Sequence, residues 1–114
     1  MAWLADVDGR DLHVSAVTLG EIQAGVEFTR EQDPTKAVEI EAFADRIVAT
    51  LNVLPMTTET FRLWAKLMHR KSNLLTNDAM IAATAQVHRL TVVTRNVKDF
   101  RQFNVEIINP YHRE

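Results

Sequence analysis

Thr76-Asn77-Asp78-Ala79-Met80-Ile81-Ala82-Ala83-Thr84-Ala85 is followed, after a short break, by Leu90-Thr91-Val92-Val93-Thr94-Arg95-Asn96-Val97-Lys98-Asp99-Phe100. The first run is an acidic residue opening an alanine-rich helix with small side chains that let it pack closely. The second is a short apolar strand ending in polar residues and a second carboxylate. In open α/β sheets, strand ends and helix starts converge on the crevice that binds ligands. Asp78 and Asp99 are therefore candidates for one site.

Working outward, the chain alternates strands and helices. Residues 2–6 read as the end of a helix and Asp8-Gly9-Arg10-Asp11 as a turn. Leu12 to Val17 reads as a buried strand. Thr18-Leu19-Gly20-Glu21 matches a capping box, with Thr18 as cap and Glu21 reaching back to it. The helix that follows carries Leu19, Ile22, Val26 and Phe28 on its apolar side. Asp33 caps a second helix with Pro34 at its first position, running through Val38, Phe43, Ile47, Val48 and Leu51. Asn52-Val53-Leu54-Pro55 is a short strand. Thr57 or Thr58 starts a helix with Phe61, Trp64, Ala65, Leu67 and Met68 facing inward. Asn77 is expected to cap the Asp78 helix, which reaches about His88. Strand 91–94, a turn or short helix over 96–102 and a last strand at 105–108 complete the pattern. The fold predicted is α/β and three-layered, a parallel sheet of about four short strands flanked by helices.

The chain of 114 residues suits one domain. It has no cysteine, which excludes a disulfide framework and a thiolate metal site and points to the cytoplasm. No apolar run approaches the roughly 18 residues of a membrane span, so no membrane partner is expected. The formal net charge of -2 argues against retention on nucleic acid by bulk electrostatics. There is no glycine-rich phosphate loop, and His13, His69, His88 and His112 are scattered.

What remains as chemistry is the carboxylates at strand-to-helix handovers: Glu21, Asp78 and Asp99. Oxygen ligands of this kind suit Mg²⁺ or Mn²⁺. Such an ion polarises a phosphoryl oxygen and activates water. Each residue also has a plain structural reading. Glu21 fits a capping box, Asp78 complements the helix dipole, and Asp99 and Asn96 suit a turn. Arg62, Lys66 and Arg70, with Arg95, form a basic approach for a phosphate backbone or simply a solvated face.

Together these residues resemble a family. Asn77-Asp78-x-x-Ile81-Ala82-Ala83-Thr84-Ala85, Thr94-Arg95-Asn96-x-x-Asp99-Phe100 and Ile107-Ile108-Asn109-Pro110 look like the C-terminal half of PIN domains, especially the VapC and FitB toxins. Ser15 to Ile22 is similar to the second strand and acidic helix start of that family. The resemblance implies a Mg²⁺- or Mn²⁺-dependent endoribonuclease, the toxin of a toxin–antitoxin pair. It implies an RNA substrate, a DNA-binding antitoxin of the VapB or FitA kind, and a homodimer, for which the apolar hairpin of residues 19–51 offers a surface. By position, Asp78 and Asp99 contact the metal, Glu21 holds or activates the water, and Thr94 and Asn96 support the carboxylates.

In one respect the chain departs from that pattern. The family opens with a strand of the form apolar-apolar-Asp-Thr-Asn/Ser, whose Asp is a principal ligand. Met1-Ala2-Trp3-Leu4 resembles instead the helix after it. The expectation is a single domain over 1–114 lacking that strand, with a narrower re-paired sheet or a dimer filling the gap, and with weak metal binding and cleavage. The alternative is a catalytically inactive PIN-like module that binds an antitoxin or itself. A receiver- or phosphatase-like domain would need an acidic end to its first strand and a lysine on its last, and neither is seen.

Overall fold

The computed structural model describes the backbone of Trp3–Ala5 and the whole of residues 12–109. The strands are β1 (Trp3–Ala5), β2 (Leu12–Ser15), β3 (Asn52–Leu54), β4 (Thr91–Val93) and β5 (Ile107–Ile108), and the helices are α1 (Ala16–Gln32), α2 (Pro34–Thr50), α3 (Thr58–Met68), α4 (Thr76–His88) and the short α5 (Val97–Phe100). They form one sheet in the order β3-β2-β1-β4-β5. The α/β class is as expected, and two details of the sheet are not.

First, residues 3–5 are a strand rather than a helix end. Second, the sheet has five strands and is mixed. β2 and β3 are parallel, as are β4 and β5, but β1 is antiparallel to both of its neighbours. Leu4 pairs with His13 on one side and Val92 on the other. The gap anticipated in the sheet is thus filled from within the chain, without re-pairing β2 to β4 or recruiting a second copy. Filling it satisfies backbone groups that β2 and β4 would otherwise leave orphaned. The expected turn at Asp8 to Asp11 lies outside the described residues.

The core forms where α4 lies on the sheet. Ala79, Ala82, Ala83 and Ala85 are fully buried, with Ile81, Val92, Phe100 and Phe103 beside them. Four small residues in one helix explain how it sits so close to the strands. Trp64, Leu67 and Met68 of α3 pack against this cluster, as expected. Phe61 and Ala65 do not; both are exposed. Trp64 Nε1–H donates to the Thr76 carbonyl at 3.2 Å, tying the middle of α3 to the start of α4.

Helices α1 and α2 form a hairpin. Asp33 caps α2 by accepting from the Lys36 N–H at 3.1 Å, with Pro34 in the first turn, as the Asp-Pro pair predicts. Val26, Ala37, Ala44 and Ile47 are buried in this unit. Phe28, Val38, Phe43 and Val48 are exposed, so the hairpin leaves four large apolar side chains open to solvent. Arg30 bridges Glu27 on its own helix and Glu41 on α2, both at 3.2 Å. Among the described residues, no helix is long and apolar enough to cross a membrane.

Candidate active site

Glu21 comes to the site by a different route from the one its spacing suggests. The N-cap of α1 is Ser15, not Thr18: the Ser15 hydroxyl accepts from the Val17 N–H at 3.1 Å. Thr18 lies inside the helix and is buried. The strand ends earlier than expected, at Ser15, so the helix starts three residues sooner and no capping box forms. Glu21 is released from that structural duty. It stands exposed on the second turn of α1 and accepts from Asn77 Nδ2 at 3.4 Å.

That bond also corrects the role of Asn77. Helix α4 begins at Thr76, its cap position is Leu75, and no side chain caps it. Asn77 therefore lies inside the first turn with its amide turned toward α1. Asp78 follows on the same turn, half-buried, where the helix dipole favours a carboxylate. Even so, burial, then the neighbouring carboxylates of Asp99 and Glu21, push the Asp78 carboxyl above the usual carboxylate range. Asp99 lies in the first turn of α5, just beyond β4. Asp99 and Glu21 are therefore both near enough for Asp78 to feel their charge. Like charges concentrated beside a partly desolvated group are a recurrent mark of functional sites.

Thr94 and Asn96 are joined to each other. The Thr94 hydroxyl accepts from the Asn96 N–H at 3.0 Å, and Thr94 N–H donates to the Ile108 carbonyl at 3.0 Å. The buried threonine thus shapes the turn that delivers Asp99. The basic residues divide. Arg62 and Lys66 line an open groove with Thr58, Glu59, Leu63 and Val87. Val87 lies nine residues beyond Asp78, roughly 13 Å along α4. Arg70 lies two residues past the end of α3, in the connection leading to α4, and Arg95 is exposed just beyond β4.

The donor set suits a hard divalent cation in kind, since all three side chains offer oxygen and their mutual repulsion calls for a positive charge. In number it is sparse. Among the described residues, no three metal-capable side chains gather closely enough to hold an ion by themselves. Mg²⁺ is ordinarily held by one or two carboxylates, with water and phosphate oxygens completing its shell. Asp6, Asp8 and Asp11 lie outside the described residues. β1, being antiparallel, places Trp3 beside Val93 at the edge where its neighbours end. Backbone direction of this kind is invisible to motif reading.

An α/β sheet with acidic residues converging at the C-terminal edge of its parallel strands defines a PIN-type domain. The PIN domain family model matches residues 1–106, and the chain belongs to that family. It is 30% identical over 119 residues to toxin FitB of Neisseria gonorrhoeae, covering 98% of this chain and 84% of the relative. It is 29% identical to ribonuclease VapC1 of Rickettsia felis over 79% of this chain and 69% of the relative. The fold superposes on the FitAcB crystal structure from Neisseria gonorrhoeae with a TM-score of 0.71 and 27% identity, covering 90% of this chain and 78% of the other. It superposes on DNA-bound VapBC from Salmonella typhimurium with a TM-score of 0.64 and 25% identity, covering 84% and 73%.

Proposed function

We propose that this chain is a single-domain, divalent-metal-dependent endoribonuclease and the toxin of a toxin–antitoxin pair, acting in the cytoplasm. The observation that carries the reading is the half-buried Asp78, whose carboxyl is held above the usual carboxylate range by burial and then by the nearby carboxylates of Asp99 and Glu21. The relatives named as a ribonuclease and a toxin support the substrate and the biological role.

Asp78 and Asp99 would hold the ion, Mg²⁺ or Mn²⁺, which when bound would supply Lewis-acid polarisation of the scissile phosphodiester. Glu21, steadied by Asn77, orients the attacking water and takes its proton as the new P–O bond forms and the leaving oxygen departs. Thr94 and Asn96 fix the turn that carries Asp99. Arg70 and Arg95 meet the RNA backbone near the scissile phosphate, and Arg62 and Lys66 meet it farther along α3. A DNA-binding antitoxin of the kind found in the VapBC and FitAB assemblies is the protein partner, and a homodimer is the expected state.

Mn²⁺-dependent cleavage of a single-stranded oligoribonucleotide, abolished by chelation and by Asp78→Asn, is the expected result. Equal cleavage by Asp78→Asn would remove the metal assignment.

One observation favours the second reading, an inactive PIN module kept for binding. The backbone of the central strand β1 pairs Trp3 with Val93 where β4 ends, and that register position holds no acid. Calorimetric titration separates the two readings: the nuclease takes up Mn²⁺ through Asp78, and the inactive module does not.

A further inference from the structure

The groove between α3 and α4 encloses about 490 Å³ and is lined by Thr58, Glu59, Arg62, Leu63, Lys66 and Val87. Small-molecule sites typically enclose roughly 300–1,000 Å³. Glu21, Asp78 and Asp99 are not part of its lining, so it is a separate place on the molecule.

Its chemistry is uneven in a way that points to a ligand. Leu63 and Val87 are half-buried and form an apolar wall, with Thr58, Glu59, Arg62 and Lys66 exposed around it. Glu59, Arg62 and Lys66 follow one another three and four residues apart, hence along one side of α3, over roughly 10 Å of its axis. Among the described residues, none of the four polar side chains makes a hydrogen bond or an ion pair. Arg62 and Lys66 are like charges one turn apart, which repel each other. A second groove, around Gln86 and Glu106, is different. There Gln86 Nε2 donates to the Phe103 and Asn104 carbonyls, and Glu106 accepts from the Thr91 hydroxyl at 3.1 Å. Those groups are engaged within the fold, whereas the polar groups on α3 face water.

One kind of molecule answers all of them. Two unpaired cations one turn apart call for a phosphate, whose several oxygens engage both. The chain has no glycine-rich loop, so side chains and not backbone must hold that phosphate. A carboxylate repels a second anion but accepts from hydroxyls, as acidic residues do from ribose in nucleotide sites. The wall of Leu63 and Val87 covers a flat, largely apolar face. An inorganic anion would leave that wall bare, and an apolar ligand would leave the cations uncompensated.

We propose that the groove is a nucleotide-binding site separate from the acidic one. It takes a nucleoside phosphate, with the phosphate on Arg62 and Lys66, the ribose on Glu59 and the base on Leu63 and Val87. A free nucleotide and one unit of an RNA strand carry the same three parts. No metal ion takes part, so the inference goes beyond the nuclease reading and does not depend on it.

The test is calorimetric titration of the protein with adenosine 5′-diphosphate in chelating buffer, with methyl NMR spectra followed in parallel. Chelation prevents cleavage and keeps a metal ion from drawing the nucleotide to the carboxylates. Saturable binding of one nucleotide per chain is expected, with the Leu63 and Val87 methyl signals moving. The double variant Arg62→Ser, Lys66→Ser should weaken binding roughly tenfold or more and leave the melting temperature where it was. Adenosine, which lacks the phosphate, and inorganic phosphate, which lacks the base, should each bind about tenfold more weakly or worse. Asp78→Asn should bind the nucleotide as wild type does. A short oligoribonucleotide then separates the sources: displacement of the bound nucleotide identifies a strand unit as the occupant, retention identifies the free nucleotide, and both uphold the site. No saturable binding, unchanged binding by the double variant, or binding lost in Asp78→Asn overturns the groove assignment. Each of these leaves the nuclease reading, which Mn²⁺-dependent cleavage tests, standing.

Discussion

Asn77 Nδ2 donates to Glu21 Oε2 at 3.4 Å, joining the first turn of α4 to the second turn of α1 across more than fifty residues of chain. This bond links two local helix features, holding the Glu21 carboxylate beside the residue that precedes Asp78. Both partners are exposed, so its worth to global stability is small. Its worth to positioning is larger.

Asn77→Ala is accordingly expected to leave the unfolding free energy within about 0.5 kcal/mol of wild type. RNA cleavage should fall by about tenfold or more, the usual cost of losing a residue that orients a site carboxylate. Urea titration and single-turnover cleavage check the two halves. A fall in stability matching the fall in rate would assign Asn77 to folding instead.

Asp78 supplies a prediction with a definite sign. Its folded-state carboxyl titrates above the unfolded value, chiefly through burial and then through Asp99 and Glu21. The folded protein therefore holds that proton more tightly than the unfolded chain, and ionising Asp78 costs stability as pH rises from the unfolded value through the folded one. Above that window, in metal-free buffer, Asp78→Asn should melt higher than wild type. Below the unfolded value the two should converge. Thermal melts across acid and neutral pH with a chelator test this, and a lower melting temperature for Asp78→Asn at neutral pH would contradict it.

Ser15, buried at the junction of β2 and α1, carries the cap that Thr18 was expected to carry. Ser15→Ala should cost about 1 kcal/mol through the lost bond to the Val17 N–H. Glu21→Gln, with no capping box to break, should leave stability nearly unchanged. Chemical denaturation distinguishes this from the capping-box arrangement, in which Ser15→Ala would be silent.

β1 is short, but its position is central. Leu4→Pro removes a backbone donor from a strand paired on both sides, and proline is not tolerated in such a strand. The expected cost is about 3 kcal/mol or more. Hydrogen exchange offers a check without mutation: slow exchange is expected within residues 3–5, and exchange there at the rate of an unfolded peptide would refute the central strand.

How much of this could be read from the chain is clearest at particular residues. The α4 helix declared itself through its alanines, because close packing against a sheet demands small side chains. The Asp33-Pro34 cap, the start of α3 at Thr57 or Thr58 (the structure caps it with Thr57) and the apolar strand expected at 91–94 rest on interactions between residues a few positions apart, which local sequence encodes. The acidic trio was legible for a related reason: carboxylates at strand ends and helix starts must face the same edge in a parallel sheet. The partners of those carboxylates were not. Whether Glu21 reached back to its own helix end or out to Asn77 depended on where β2 stopped, and that is settled by pairing with β3.

The exposed faces of Phe28, Val38 and Phe61 show the same limit, since helical periodicity marks an apolar side without saying whether anything covers it. The start of the chain shows it most plainly. Trp3-Leu4-Ala5 is short and apolar, equally suited to a helix end or a strand. Only two neighbouring strands with unpaired backbone groups, brought together from residues 12–15 and 91–93, made it a strand and set its direction. The sequence by itself determined the α/β class and the family and singled out Glu21, Asp78 and Asp99 as candidates, because these rest on local pattern and residue chemistry. Tertiary structure alone decided the antiparallel centre of the sheet, the Asn77–Glu21 bond and the groove that sets Arg62 and Lys66 beside Val87, because backbone pairing and clefts between helices exist only once distant segments meet.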